Sequence, residues 1–327
     1  MTAWYAETIL GLARSYWECR ILLTAAELDL FARLKDRSQS AAELAKAMHV
    51  PSRGLTILLD AVTGMELLIK RDGKYSCPPD IAKRLAGNGP DSVLPMVLHS
   101  AFQWRKWTDL TGIVRGEIQP ARHSRSPESL KAFIEAMDVV SAPRAATAVQ
   151  VVRPDEAKRM IDVGGGPGTY TAAFLRACPN MTATLFDQPD VIEIARERFK
   201  AAGLLERVTL VGGDFEVDDL PVGHDLAWAS AIIHQNSPAE NVELYRKIFR
   251  ALDSGGRIVV RDHVMEENRT HPRTGAVFAI NMLVSTDAGN CYTFEEIRDD
   301  LRAAGFERVN LIVKDEQMSG LVEAFKP

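Results

Sequence analysis

From Arg159 to the end of the chain, short apolar runs alternate with amphipathic stretches, and this rhythm constrains the fold more than any other feature. RMIDVG, TATLFD, RVTLVGGD, DLAWASAI and GRIVVRD read as buried strands. Among them TYTAAFLRAC, PDVIEIARERFKAAG and PAENVELYRKIFRAL carry the 3.6-residue periodicity of helices with one apolar face. A Thr293/Glu296 capping box opens TFEEIRDDLRAAG, and RVNLIVKD and GLVEAFK supply two terminal strands. Apolar strands separated by helices give an α/β domain with a mostly parallel, doubly wound sheet. Such a sheet binds its ligand beyond the carboxyl ends of the strands.

The first 115 residues read as almost wholly helical. Ser40 and Glu43 form a capping box that opens AAELAKAM, and Pro51 starts a second helix, PSRGLTILLDAVTGMELL. IKRDGKYSC then reads as two short strands around an Asp72-Gly73 turn. Two helices followed by a two-stranded wing make a winged-helix pattern. HSAFQWRKWTDLTGIVRGE (99–117) is expected as one long helix bearing Phe102, Trp104 and Trp107, and QPARHSRSP (119–127) as a basic surface crossing. The helix ESLKAFIEAMDVVSAPRAATAVQVV leads into the sheet. At roughly 100–200 residues per domain, the 327 residues are expected to divide into a helical domain, 1–115, and a sheet domain, 116–327.

Charge bears on the winged helix, because that pattern often binds DNA. Between Gln39 and Cys77 five basic residues face four acidic ones, and the would-be recognition helix carries a single arginine. A reader of the major groove needs several Arg, Lys, Asn or Gln side chains there. The whole chain carries a net charge of −5, a poor match for gripping phosphates. Packing or dimerisation is the expected role, without a nucleic-acid partner. Cys19, Cys77, Cys178 and Cys291 form no CxxC pair, which argues against a disulfide framework or zinc knuckle and for a reducing cytoplasm. The N-terminus lacks a basic leader and carries Glu7, and no apolar run reaches membrane-spanning length.

The chemistry concentrates on Asp162-Val-Gly-Gly-Gly-Pro-Gly168, between the first strand and first helix of the sheet domain. Glycines let a backbone approach its ligand closely, and the following helix N-terminus favours anionic groups. Gly164, Gly166 and Gly168 give GxGxG, whereas the dinucleotide fingerprint needs a small residue where this chain has Thr169. The spacing therefore favours S-adenosylmethionine over NAD. Asp187, ending the second strand, is placed for both ribose hydroxyls of either cofactor. Asp214, after the third strand, would take an adenine amino group, with Phe215 against the ring.

With these motifs in order, the sequence resembles the small-molecule O-methyltransferases that use S-adenosylmethionine, of the plant caffeate and hydroxyindole type with bacterial relatives. The resemblance rests on IDVGGGPG, LFDQPDVIE, GGDF, SAIIHQNSPAEN and the ML…T…L…AGF run, and it covers nearly the whole chain. It implies a winged-helix dimerisation domain joined to a Rossmann-like methyltransferase domain, and a homodimer. It also implies that Gly164, Gly166, Asp187, Asp214 and Phe215 line the cofactor site, with Ser141 near the amino-acid end and Ser230 ahead of the base. The family's general base would be His234, oriented by Asp262. Met137 and Met282 would sandwich a flat acceptor, and Phe102 and Trp104 are further candidates for contact with it.

Three positions depart from the family's pattern. His-Asp-Trp after the fourth strand reads His234-Gln235-Asn236, the second glutamate flanking the base is replaced by Cys291, and a lysine or arginine ahead of the base is Ser230. Cys291 reads as a small apolar residue filling the vacated space. His263 is expected to face away from Asp262, and a metal-dependent mechanism is not expected. The reading is methyl transfer to a hydroxyl of a small aromatic metabolite. S-, N- or C-methylation on the same fold, a non-catalytic winged-helix regulator and an NAD-dependent oxidoreductase stay open at this level.

Overall fold

The computed structural model of the chain describes residues 4–87, 89, 91–120, 127–154, 156–314 and 316–327. It divides into two compact units, Met1–Arg105 and Lys106–Pro327. Most of the basic crossing expected at 119–127 lies outside the described residues.

In the first unit, Ser40 and Glu43 form the capping box of the helix Ala41–Met48, and Pro51 caps the helix Ser52–Gly64. The wing has three strands rather than two: β1 (Gln39–Ser40), β2 (Ile69–Arg71) and β3 (Lys74–Ser76), in the order β1-β3-β2. Asp72 and Gly73 both take positive φ, 49° and 73°, the geometry of a type I′ hairpin turn. Asp60 accepts hydrogen bonds from Lys70 Nζ and the Tyr75 hydroxyl, which fastens the wing to the helix Ser52–Gly64. Leu30, Phe31, Leu34, Leu44, Leu59 and Val62 fill the core beneath. The single helix expected over 99–117 is two, Leu94–Trp107 and Leu110–Val114. Thr108-Asp109 separates them; both residue types compete for backbone hydrogen bonds, and Asp109 stands at the second N-cap.

The second unit includes Leu110–Val114 and continues with the long helix Pro127–Val152, followed by β4 (Arg159–Val163), β5 (Thr182–Asp187), β6 (Val208–Gly212), β7 (His224–Ser230) and β8 (Leu252–Asp262). A short parallel pair, β9 (Val264–Met265) and β10 (Tyr292–Thr293), brackets a helix absent from the sequence reading, Arg273–Leu283. β11 (Glu307–Val313) and β12 (Gly320–Phe325) finish the chain. The central sheet runs β11-β12-β8-β7-β4-β5-β6, with β4 to β8 parallel and β12 antiparallel to both neighbours. Alternate residues feed two cores. Ala227, Ala229, Ile258 and Val260 enter one, and Leu226, Trp228 and Val259 enter the other.

The order reverses beside β4, whose neighbours β5 and β7 lie on opposite sides, and the loop 164–168 leaves β4 there. Its last residue, Gly168, caps the helix Thr169–Ala177 at φ 76°, and a Cβ on it would fall 2.3 Å from Cζ of the buried Phe199. Gly203 also takes positive φ, 68°, with open space around it. Gly168→Ala is expected to cost about 2–5 kcal/mol, combining left-handed strain with overpacking, and Gly203→Ala only about 1–2 kcal/mol of strain. Urea unfolding of the two variants checks the difference.

Candidate active site

The carboxyl ends of β4, β5, β6, β7 and β8 gather eight of the fourteen candidate residues singled out in the sequence. Gly164 and Gly166 take φ of 65° and 55°. A Cβ on Gly164 would lie 2.6 Å from Ile232 and 3.6 Å from the Phe215 ring, so the glycine allows close packing there. A Cβ on Gly166 would meet nothing within 4 Å, so its face of the loop opens into space. Gly166 N–H donates to Asp187 Oδ2 at 2.8 Å and Gln188 N–H to Oδ1 at 2.7 Å. Each oxygen retains a further acceptor position. Burial pushes the Asp187 carboxyl above its ordinary value, and the two N–H groups pull it back. Asp214 accepts from Glu216 N–H at 2.9 Å, and Lys247 Nζ donates to the Phe215 carbonyl at 2.9 Å, holding the GGDF turn.

His234 lies in the 3₁₀ turn Ile233–Gln235 after β7. Its ring is 11% exposed, and Nδ1 lies 2.8 and 3.0 Å from the oxygens of Asp262, itself 1% exposed. A carboxylate at Nδ1 holds the proton there and leaves Nε2 as the acceptor. Asp262 is held in turn by His263 N–H at 2.7 Å. The edge of Phe278, from the helix Arg273–Leu283, meets the His234 ring at 4.9 Å between centroids. His263 does not face away from this pair as expected. β8 ends at Asp262, so its alternation stops there, and the His263 ring packs on the same Phe278 at 5.1 Å.

A second polar cluster sits where β7 and β8 end beside the helix Thr169–Ala177. Ser230 and Arg261 are paired across the two strands, and Arg261 Nη1 donates to Ser230 Oγ at 3.1 Å. The guanidinium, on a residue 5% exposed, lies 5.2 Å from the centre of the Tyr170 ring. Tyr170 packs on Trp228 at 5.0 Å. Burial pushes the Tyr170 phenol up, while Arg261, Arg144 and Ser141 on the helix Pro127–Val152 pull it down. At the end of β7, Ala231 takes φ 58°, a strained conformation for a side-chain-bearing residue, while its N–H still bonds to the Arg261 carbonyl. This turn carries the chain from Ser230 toward His234.

The remaining candidates are spread more widely. Met137 is half-buried one turn before Ser141 on the same helix. Met282 is buried one turn beyond Phe278, on the helix that Trp107 Nε1 reaches through Asn281 Oδ1 at 3.1 Å. Cys291 is buried; its carbonyl accepts from Arg269 and its N–H donates to Asn290. Its segment lies against the turn that carries His234, since a Cβ on Gly289 would crowd the His234 carbonyl oxygen. Phe102 and Trp104 belong to the first unit, where Trp104 packs on Tyr16 at 6.2 Å.

Sequence reading missed Arg261, Phe278 and Asp162. Arg261 had a visible signal, a cation inside the apolar run VVRD of a central strand. Phe278 had none, because its helix was not recognised. Asp162 was read only as the start of the glycine loop. It is buried on β4, accepts from the Thr171 hydroxyl at 2.6 Å, and burial pushes its carboxyl up to about 7.

That carboxyl gives a signed pH dependence. Between its ordinary 3.8 and about 7 the folded chain retains a proton that the unfolded chain releases. The Asp162 contribution to stability is therefore full below pH 3.8, falls as pH rises to about 7, and is level above. Asp162→Asn keeps an acceptor for Thr171 and removes the titration. Its stability relative to wild type is expected to rise across that window, by up to about 4 kcal/mol. Denaturant titrations at pH 4, 5.5, 7 and 8 check it; parallel curves would refute it.

The loop beyond β4 combines an open glycine face, a carboxylate with spare acceptor positions and a helix N-terminus without a side-chain cap. These features fit a nucleoside carrying a charged amino-acid tail. Comparison with known proteins identifies the group. Residues 98–307 match the family model of the O-methyltransferase domain, and residues 10–80 that of the O-methyltransferase dimerisation domain. The chain is 31% identical to 3-hydroxy-5-methyl-1-naphthoate 3-O-methyltransferase of Streptomyces sahachiroi, over 92% of this chain and 89% of that protein. It is 30% identical to the tetracenomycin polyketide synthesis 8-O-methyl transferase TcmO of Streptomyces glaucescens, over 92% and 91%. The solved structure of PigF with SAH superposes with a TM-score of 0.88 at 26% identity, covering 99% of this chain and 100% of that one. The chain therefore belongs to the O-methyltransferase family and is an S-adenosylmethionine-dependent O-methyltransferase with a dimerisation domain ahead of its methyltransferase domain.

Proposed function

We propose that this enzyme methylates a hydroxyl of a small aromatic metabolite, with His234 as general base. The observation that carries the reading is the His234–Asp262 pair at the carboxyl ends of β7 and β8. Relatives named for a naphthoate, a tetracenomycin polyketide and a phenazine support an aromatic acceptor. Gly164, Gly166, Asp187, Asp214, Phe215, Ser141 and Ser230 are proposed to hold the cofactor. Met137, Met282 and Cys291, with Phe102 and Trp104 of the first unit, are proposed to contact the acceptor.

Bound S-adenosylmethionine supplies a methyl group on a sulfonium, activated for in-line displacement by the acceptor oxygen. The protein's tasks are alignment, exclusion of water and removal of one proton. A phenol of pKa about 10 costs roughly 4 kcal/mol to ionise at pH 7. His234 Nε2 takes that proton as the oxygen–carbon bond forms, and Asp262 at Nδ1 stabilises the imidazolium. Phe278 fixes the plane of the imidazole, and buried Cys291 brings no second carboxylate beside it. His234→Ala is expected to lower turnover about 10²–10⁴-fold with S-adenosylhomocysteine affinity unchanged, measured by mass spectrometry over hydroxylated naphthoates and phenazines and by calorimetry. Undiminished turnover would remove His234 from the mechanism.

The enzyme is proposed to work as a homodimer in the cytoplasm. The match to a dimerisation domain and four cysteines without a disulfide support this reading. So does the helix Ala6–Arg14, which exposes Ile9, Leu10 and Leu12 and buries none of its residues within the chain. No helix among the described residues is long and apolar enough to cross a membrane. A second copy fits such a face. Ile9→Glu combined with Leu12→Glu is expected to convert a dimer to a monomer in sedimentation velocity; an unchanged mass would exclude this helix from the interface.

A further inference from the structure

We propose that Lys247 is a positioning residue for cofactor recognition: from the buried face of its helix it holds the turn 213–218 so that Asp214 reads the adenine amino group. The assignment rests on the proposed placement of Asp214 and Phe215 in the cofactor site and goes beyond it by naming what fixes them there.

The starting point is where the cation sits. Lys247 lies in the helix Pro238–Ala251, one turn from both Leu244 and Ala251, among residues that also include the buried Tyr245 and Ile248. It is only 6% exposed. An ammonium in such a place costs free energy that an aliphatic residue would not, and its hydrogen bonds offset that cost. They run to two successive carbonyls of one turn, Phe215 at 2.9 Å and Glu216 at 3.0 Å. The arginines of the same helix behave differently. Arg246 pairs with Glu243, and Arg250 with Asp219 and Glu243, all of them about half exposed or more. Exposed pairs of that kind restrain little.

The turn is held on both sides of Asp214. On one side Gly213 N–H donates to the carbonyl of Asp187, the last residue of β5, at 2.9 Å. Within the turn, Asp214 N–H donates to Asp218 Oδ2 at 2.8 Å, and Asp214 Oδ1 accepts from Glu216 N–H at 2.9 Å. On the other side Lys247 takes the two carbonyls that follow Asp214. Oδ1 is thus engaged inside the turn, and Oδ2 has acceptor capacity for an amino group. The Phe215 ring lies beside the glycine loop, 3.6 Å from where a Cβ on Gly164 would stand. Carbonyl and ring belong to one residue, so the bond from Lys247 also restricts where the ring rests. An amino group at this position separates adenine from hypoxanthine, whose carbonyl oxygen there accepts instead of donating. A fixed carboxylate prefers adenine, and a turn released from Lys247 loses that preference.

Calorimetry with S-adenosylhomocysteine and S-inosylhomocysteine tests this, because the two differ only at the purine C6 group and the N1 proton beside it. Wild type is expected to prefer the adenosyl compound by about 10- to 100-fold. Lys247→Met keeps most of the apolar stem without the donor and is expected to bring the preference below about threefold, the loss falling on the adenosyl compound. Lys247→Gln has the same length, keeps a donor and should fold where the methionine variant does not; it is expected to lower the preference in the same direction. Arg250→Gln cuts the exposed link from the same helix to Asp219 and is expected to leave both affinities within about twofold. Asp214→Asn keeps its oxygen on Glu216 N–H and turns an amide N–H to the base, which is expected to abolish or reverse the preference. If it does so while the Lys247 variants keep the wild-type preference or weaken both ligands equally, the assignment to Lys247 is overturned and the placement of Asp214 stands. Loss of preference in Arg250→Gln overturns the assignment too, since any restraint on this loop would then serve. A wild-type chain without preference, or an Asp214→Asn variant that retains it, overturns the placement of Asp214 and the Lys247 assignment with it.

Discussion

The site depends on one constraint, the two-residue alternation of side chains at the ends of two adjacent parallel strands. Register places Ser230 of β7 opposite Arg261 of β8. From there consecutive residues of β8 diverge: Arg261 goes to the face with Tyr170 and Trp228, and Asp262 to the face with His234. A one-residue slip would exchange the two faces and put a carboxylate beside Tyr170 and a cation beside the imidazole. The apolar residues upstream, Ile258 and Val260 in one core and Val259 in the other, prevent that slip.

The glycine loop is held by groups that are themselves buried. Asp162 bonds to Thr171, and Asp187 bonds to Gly166 N–H. From the long helix, Asp138 takes the Thr169 hydroxyl and an ion pair with Arg198. The start of the helix Thr169–Ala177 is thereby fixed from three directions, and its N-terminal N–H groups remain without a side-chain cap. Burial, with the charge of nearby Asp187, favours the uncharged form of Asp162.

Much of the fold was legible in the sequence because local signals and burial agree. The capping boxes at Ser40 and Thr293, the Asp72-Gly73 turn and the strand–helix rhythm after Arg159 appear where residue type alone places them. The capping box at Ser237 and Glu240 carried the same local signal and was passed over. Other features depend on partners distant in the chain. β1 exists because β3 pairs with it, and nothing in Gln39-Ser40 marks a strand. The helix Arg273–Leu283 lies between β9 and β10, which are strands only by pairing with each other. The His234–Asp262 pair was legible because the resemblance implied it. Phe278, which orients the imidazole, was hidden with its helix.

By itself the sequence determined the fold class, the cofactor family and the residue types at the strand ends, because apolar periodicity, glycine spacing and motif order are properties of neighbouring residues. Tertiary structure decided which of those residues meet. It put Arg261 beside Ser230, turned His263 onto Phe278 and buried Cys291 in a segment whose Gly289 lies against His234. These outcomes follow from strand register and from where alternation stops, and both are set by contacts between segments far apart in the chain. A cation missing at one position and present on the strand beside it looks like two unrelated departures in the sequence. In the folded sheet the two positions are paired.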